Sequence, residues 1–164
     1  MSQLVRVGAV AAMIGGGLRV VSTFIPYQAD LAWLEALYGV IDLCLLFGLI
    51  GIYLFCAEAL GTLGLIAFLV ALAGVASIFG PDTPAFGIDF YRVGALVFVL
   101  GLAALGALLW SRGVLRSSAA LWVVTLAAAL ASATWPPAFM VSGLALGVGY
   151  LLAGAAIWRG LGSR

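Results

Sequence analysis

Apolar residues fill this chain in six long blocks, approximately 4–25, 31–56, 59–79, 90–110, 118–135 and 138–158, separated by short breaks. Each block has, or nearly has, the roughly 20 residues that a helix needs to cross the hydrocarbon core of a bilayer. The breaks carry residues that end helices: Pro26-Tyr27-Gln28-Ala29-Asp30, Gly80-Pro81-Asp82-Thr83-Pro84, Ser111-Arg112-Gly113 and Pro136-Pro137. The weakest break is Cys56-Ala57-Glu58, which has neither Gly nor Pro; one long helix plus a re-entrant segment is the alternative there. The pattern predicts an all-α polytopic membrane protein, a single bundle of six transmembrane helices.

Composition strengthens this expectation. Of 164 residues, 66% are hydrophobic and only 8% charged, against roughly 25% charged in soluble domains, and mean hydropathy is +1.29. Six helices of about 20 residues use about 120 positions, so the five connections must be short and no extramembrane domain is expected. The first block is expected to stay as a membrane helix rather than serve as a cleaved signal, because Gly15-Gly16-Gly17 and Arg19 interrupt it.

With the N-terminus in the cytoplasm, Arg6, Arg112, Arg116, Arg159 and Arg164 fall inside, and Asp30, Asp82 and Asp89 outside. The positive-inside rule therefore places both termini in the cytoplasm. Trp33 and Trp135 fall at outer ends and Trp110, Trp122 and Trp158 near inner ends, as an interfacial aromatic belt requires. Arg112 and Arg116 would meet anionic headgroups, and Glu58 is expected at the favourable N-terminal end of the third helix.

All positive side chains are arginine, and Lys, His and Asn are absent. That leaves no imidazole ligand for haem or metal and no lysine for a Schiff base. Residues with A/T-rich codons are avoided, which suggests a GC-rich bacterial genome and hence the inner membrane. Cys44 and Cys56 are read as small packing residues. No triad, metal-ligand cluster or phosphate loop is present, so no enzyme, cofactor, metal or nucleic-acid partner is expected.

Small residues recur at helical spacing, including Gly64-Ala67-Ala71-Gly74 and Gly143-Gly147. Such stripes let helices approach closely in lipid; Gly143 and Gly147 serve either a helix of the same chain or self-association with a second copy. Arg6-Val7-Gly8-Ala9 is matched by Arg92-Val93-Gly94-Ala95, and Gly15 by Gly101, the signature of a three-plus-three inverted repeat if the match is not compositional.

Ionisable groups inside the spans are the sharpest signal, since each costs on the order of 3 kcal/mol near a helix centre. Arg19, Glu35 and Asp42 qualify. Glu35 and Asp42 share one face of the second span with Tyr38. If the first hairpin turns at Gln28, Arg19 lies within about 3 Å of Glu35 in depth, with Asp42 about 7.5 Å deeper. An Arg19–Glu35 ion pair is therefore expected. The trio either locks the hairpin or forms part of a proton or cation path; a lipid or quinone-like ligand pocket is a third reading. Asp82, Asp89 and Arg92 on the longest connection are the outer-loop candidates.

Arg6-Val-Gly-Ala9, Gly48-Leu-Ile-Gly-Ile-Tyr53 and Gly61-Thr-Leu-Gly-Leu-Ile-Ala-Phe68 resemble small multi-span bacterial integral membrane proteins of unknown function, a resemblance that covers about half the chain and implies no activity. Two functional classes follow from the residues: a non-catalytic accessory subunit or scaffold in a membrane complex, with other membrane subunits and the lipid bilayer as partners, or a small proton- or cation-coupled transporter or channel.

Overall fold

The structure, a computed structural model, describes residues 3–25, 31–78 and 89–162. It is all-α, with α1 (Gln3–Ser22), α2 (Ala32–Ser77), α3 (Phe90–Ser111), α4 (Arg116–Ala131) and α5 (Ala138–Gly162). Helices α1, α2, α3 and α5 are long and apolar enough to cross a membrane; α4, with 16 residues, is shorter. The expected turns at Gln28 and at Gly80–Pro84 lie outside the described residues.

The boundary between the second and third blocks lies at Gly61 and not at Cys56-Ala57-Glu58. Helix α2 runs unbroken through Cys56-Ala57-Glu58, where the sequence pattern placed a turn, and breaks its helical geometry at Gly61 (φ 61°, ψ −156°). Ala57 and Glu58 have no reason to stop a helix, whereas a left-handed φ carries no penalty without a Cβ. The break reverses the chain. Tyr53 and Phe68 would stand about 22 Å apart in a straight helix, yet their rings stack with centroids 4.2 Å apart and planes 12° from parallel. Glu58 therefore sits near the end of the first arm of α2, not at a helix start.

Gly61 has open space around it, so an added methyl group meets nothing. Any cost of Gly61→Ala then comes from the backbone alone. We expect a loss of about 1–3 kcal/mol, read from detergent-induced unfolding followed by far-ultraviolet circular dichroism; an unchanged midpoint would show that the reversal does not depend on this φ.

Small residues set how the helices meet. A Cβ on Gly8 would stand 2.5 Å from Gly51 Cα, one on Gly48 2.9 Å from Ala12 Cα, and one on Gly15 2.7 Å from Cys44 Cβ, so α1 and the first arm of α2 run antiparallel with their backbones close. On its other side α1 packs against α5, where a Cβ on Gly16 would lie 2.5 Å from Gly147 O, one on Gly143 2.7 Å from Thr23 Oγ1, and one on Gly154 2.5 Å from Ala9 O. Gly143 and Gly147 are thus used within the chain. The second arm of α2 packs on α3 (Gly74 against Phe98, Ala71 against Gly101), α3 on α4, and α4 on α5. Counting the arms of α2 separately, six segments form a closed ring in chain order.

This ring does not carry the inverted repeat. Gly8 and Gly15 face the helix that follows α1, whereas their counterparts Gly94 and Gly101 face the arm that precedes α3. Topology gives the same answer. Moving three places around a ring of alternating helices preserves the order of procession and reverses every helix direction, and no proper rotation does both. The four-residue match is compositional.

The core is one cluster that draws on all five helices, with Leu45, Leu49, Ile52, Phe68, Phe98, Leu102, Leu105, Trp122, Tyr150 and Ile157 among its members. Outward faces are apolar too: Leu63, Ile66, Leu96, Val123 and Phe139 are exposed, as helices facing lipid require.

Candidate functional site

The ladder between α1 and α2 decides which charges meet. Its rungs, Gly8/Gly51, Ala12/Gly48 and Gly15/Cys44, step along both helices by three or four residues, and the next rung falls at Arg19 and Ile41, beside Asp42. This register moves the position opposite Arg19 by about four residues along α2 from where a turn at Gln28 would put it. Glu35 is then about 9 Å further along the axis.

The side chains follow that register. Arg19 is half-buried on α1 and Asp42 is half-buried on α2, at nearly the same depth in this register. Among the described residues they form no contact ion pair, and the buried Nε of Arg19 has no hydrogen-bond partner. The expected Arg19–Glu35 pair is not formed. Glu35 is exposed in the first turn of α2, where a carboxylate is favourable to the helix dipole. Tyr38 is half-buried one turn before Asp42 on the same face.

Arg19 also marks the end of α1. Its carbonyl accepts from Ser22 Oγ (3.0 Å), Thr23 Oγ1 (2.8 Å) and Thr23 N (3.2 Å). These bonds satisfy a carbonyl that the terminating helix would otherwise leave open.

The outer-loop candidates divide. Asp82 lies outside the described residues. Asp89 caps α3, accepting from Arg92 N at 3.0 Å, and the Arg92 Nε lies 3.1 Å from Asp89 Oδ2. With Arg92 86% exposed, this is a surface pair that helps start a helix and contributes little stability. Among the described residues no three His, Cys, Asp or Glu side chains gather as a metal site.

Sequence reasoning missed a second polar group inside the bundle. Trp122, expected in the interfacial belt, is fully buried, while Trp33, Trp110, Trp135 and Trp158 are exposed. Its indole fits against Gly149, whose Cβ would stand 2.5 Å from Nε1, and its ring lies 5.5 Å from that of Tyr150. Tyr150 is also fully buried, and neither Trp122 Nε1 nor Tyr150 OH has a hydrogen-bond partner among the described residues. Nearby, Ser142 Oγ donates to Thr125 O at 3.0 Å, joining α5 to α4. The signal in the sequence was the inward stripe Ser118-Trp122-Thr125, small or polar residues around one large ring.

An unpartnered buried hydroxyl costs folding free energy that its removal returns. Tyr150→Phe is therefore expected to leave stability unchanged or raise it by about 1 kcal/mol, measured by thermal unfolding in detergent. A clear loss instead would mean that the hydroxyl has a partner in the folded protein.

Comparison with protein-family models, with curated proteins and with solved structures returns no match to this chain. Its chemistry rests on the residues themselves: a guanidinium and a carboxyl level with one another on two packed helices, and two buried donors, Trp122 Nε1 and Tyr150 OH, in a mostly apolar interior.

Proposed function

We propose that this chain is a six-span integral membrane protein of the bacterial inner membrane, both termini cytoplasmic, acting as a non-catalytic accessory subunit or scaffold in a membrane complex. The observation that carries this reading is the core, a continuous apolar cluster that joins all five helices. Such an interior holds a shape and presents outward faces. In six crossings the arms of α2 on either side of Gly61 traverse separately, and the basic end with Arg6, Arg112, Arg116 and Arg159 faces the cytoplasm. The second arm of α2 and the whole of α4 are about 24 Å long, short of a hydrocarbon core of about 30 Å, which local bilayer thinning accommodates.

Native mass spectrometry of gently extracted protein tests the reading. Co-purification with other polypeptides in fixed ratio is expected; a lone monomer or a symmetric oligomer would overturn the subunit role.

Arg19 and Asp42, both half-buried and level with one another on α1 and α2, favour a second reading, a small proton- or cation-coupled transporter in which Asp42 takes up and releases the coupling ion. Its test is Asp42→Asn in sealed vesicles: loss of a proton-linked flux with assembly intact supports it, and a protein indifferent to the change removes it.

A further inference from the structure

Four exposed arginines collect at one end of the bundle. Arg6, at the start of α1, and Arg159, near the end of α5, are level with one another on helices held together by the Ala9/Gly154 contact. Arg112 and Arg116 bracket the tight turn from α3 to α4, where a Cβ on Gly113 would stand 3.3 Å from Arg116 Nη2, so the guanidinium lies over the turn. Because α4 packs on α5, the two pairs belong to one side of the ring.

Among the described residues none of the four has a carboxylate partner, and the single ion pair is Arg92–Asp89 at the opposite end. Among the described residues the acid at this end is Glu58, on α2, whose arms are not part of either arginine pair. Trp110 and Trp158, 54% and 48% exposed, stand two residues and one residue before Arg112 and Arg159. Indole rings settle at headgroup depth, which puts the guanidinium groups among the phosphates.

We propose that this end of the bundle binds anionic phospholipid headgroups, each arginine pair clamping a phosphodiester through charge-assisted hydrogen bonds. Two like charges at one level of the bundle are relieved by one shared anion, and the planar guanidinium suits phosphate oxygens. The inference rests on the membrane reading above and is independent of the scaffold role.

The test is native mass spectrometry of the full chain in detergent, titrated with phosphatidylglycerol or with phosphatidylcholine of the same acyl chains. Phosphatidylglycerol is expected to be retained about tenfold more strongly, with the preference falling as salt rises. Arg112→Gln with Arg116→Gln, and Arg6→Gln with Arg159→Gln, should each reduce it several-fold, while Arg92→Gln leaves it unchanged. Equal retention of the two lipids, no salt dependence in the unaltered protein, or an equal loss in Arg92→Gln would overturn the proposal. Displacement of phosphatidylglycerol by an equal concentration of inorganic phosphate would assign the surface to free phosphate and overturn it as well. Retention of neutral lipid without preference would leave the membrane reading standing while removing this one. The salt series needs no variant, so a variant that fails to fold does not remove the test.

Discussion

Asp42→Leu is expected to destabilise the protein by about 2–3 kcal/mol, Arg19→Leu by less, and the two together by less than the sum of the separate losses. The asymmetry follows from the chemistry of the two groups. A carboxylate left alone in apolar surroundings escapes by taking up a proton, whereas a guanidinium stays charged and must keep its counter-charge or reach water. Arg19 already has a buried Nε without a partner, so losing Asp42 leaves it with little to offset burial. A double-mutant cycle followed by detergent-induced unfolding measures the coupling. Strict additivity would mean that the two side chains share a neighbourhood without interacting. Glu35→Leu, on the exposed first turn of α2, should stay within about 0.5 kcal/mol.

Gly74→Val is the second substitution with a large expected effect. A Cβ at Gly74 falls on the backbone N and Cα of Phe98 and stands 2.8 Å from Gly94 O. Backbone cannot rotate aside as a side chain can, so α2 and α3 must part along the stretch where Ala71 also meets Gly101. A loss of about 3 kcal/mol, or failure to recover folded protein, is expected. Gly39→Ala is the matched control. Nothing lies within 4 Å of the Cβ it introduces, and alanine is the better helix former by about 1 kcal/mol in water, so its midpoint should hold or rise. Equal losses at both sites would show that glycine matters there for something other than close approach.

Much of the helical plan is legible in the hydrophobic blocks, because length and apolarity are local properties of the chain. The boundary of α3 and the start of α5 follow directly from Asp89 and Pro136-Pro137. The turn in α2 was displaced because the pattern around Cys56-Ala57-Glu58 shows a polar residue, while what stops a helix is backbone geometry, and Gly61 is one of 22 glycines with no mark to single it out. The charged site was legible in its members and not in its pairing. Composition identifies Arg19 and Asp42 as costly residues, but register depends on which small residues meet across two helices, and a shift of a few residues exchanges one carboxylate for the other. Trp122 was misplaced for a related reason: indole prefers the interface unless glycines on neighbouring helices, here Gly106 and Gly149, open room for it inside.

The closed ring also orders how the protein is made. Contacts between α1 and α2, α2 and α3, α3 and α4, and α4 and α5 join neighbours along the chain, so each hairpin can pack as soon as the ribosome releases it. The seam between α1 and α5 is different. The face of α1 bearing Ala9, Gly16 and Val20 meets Gly147 and Gly154, residues that emerge on the order of ten seconds later at ordinary rates of synthesis. Through that interval the face of α1 that α5 covers stays unmated, open to any other helix that fits it until α5 arrives.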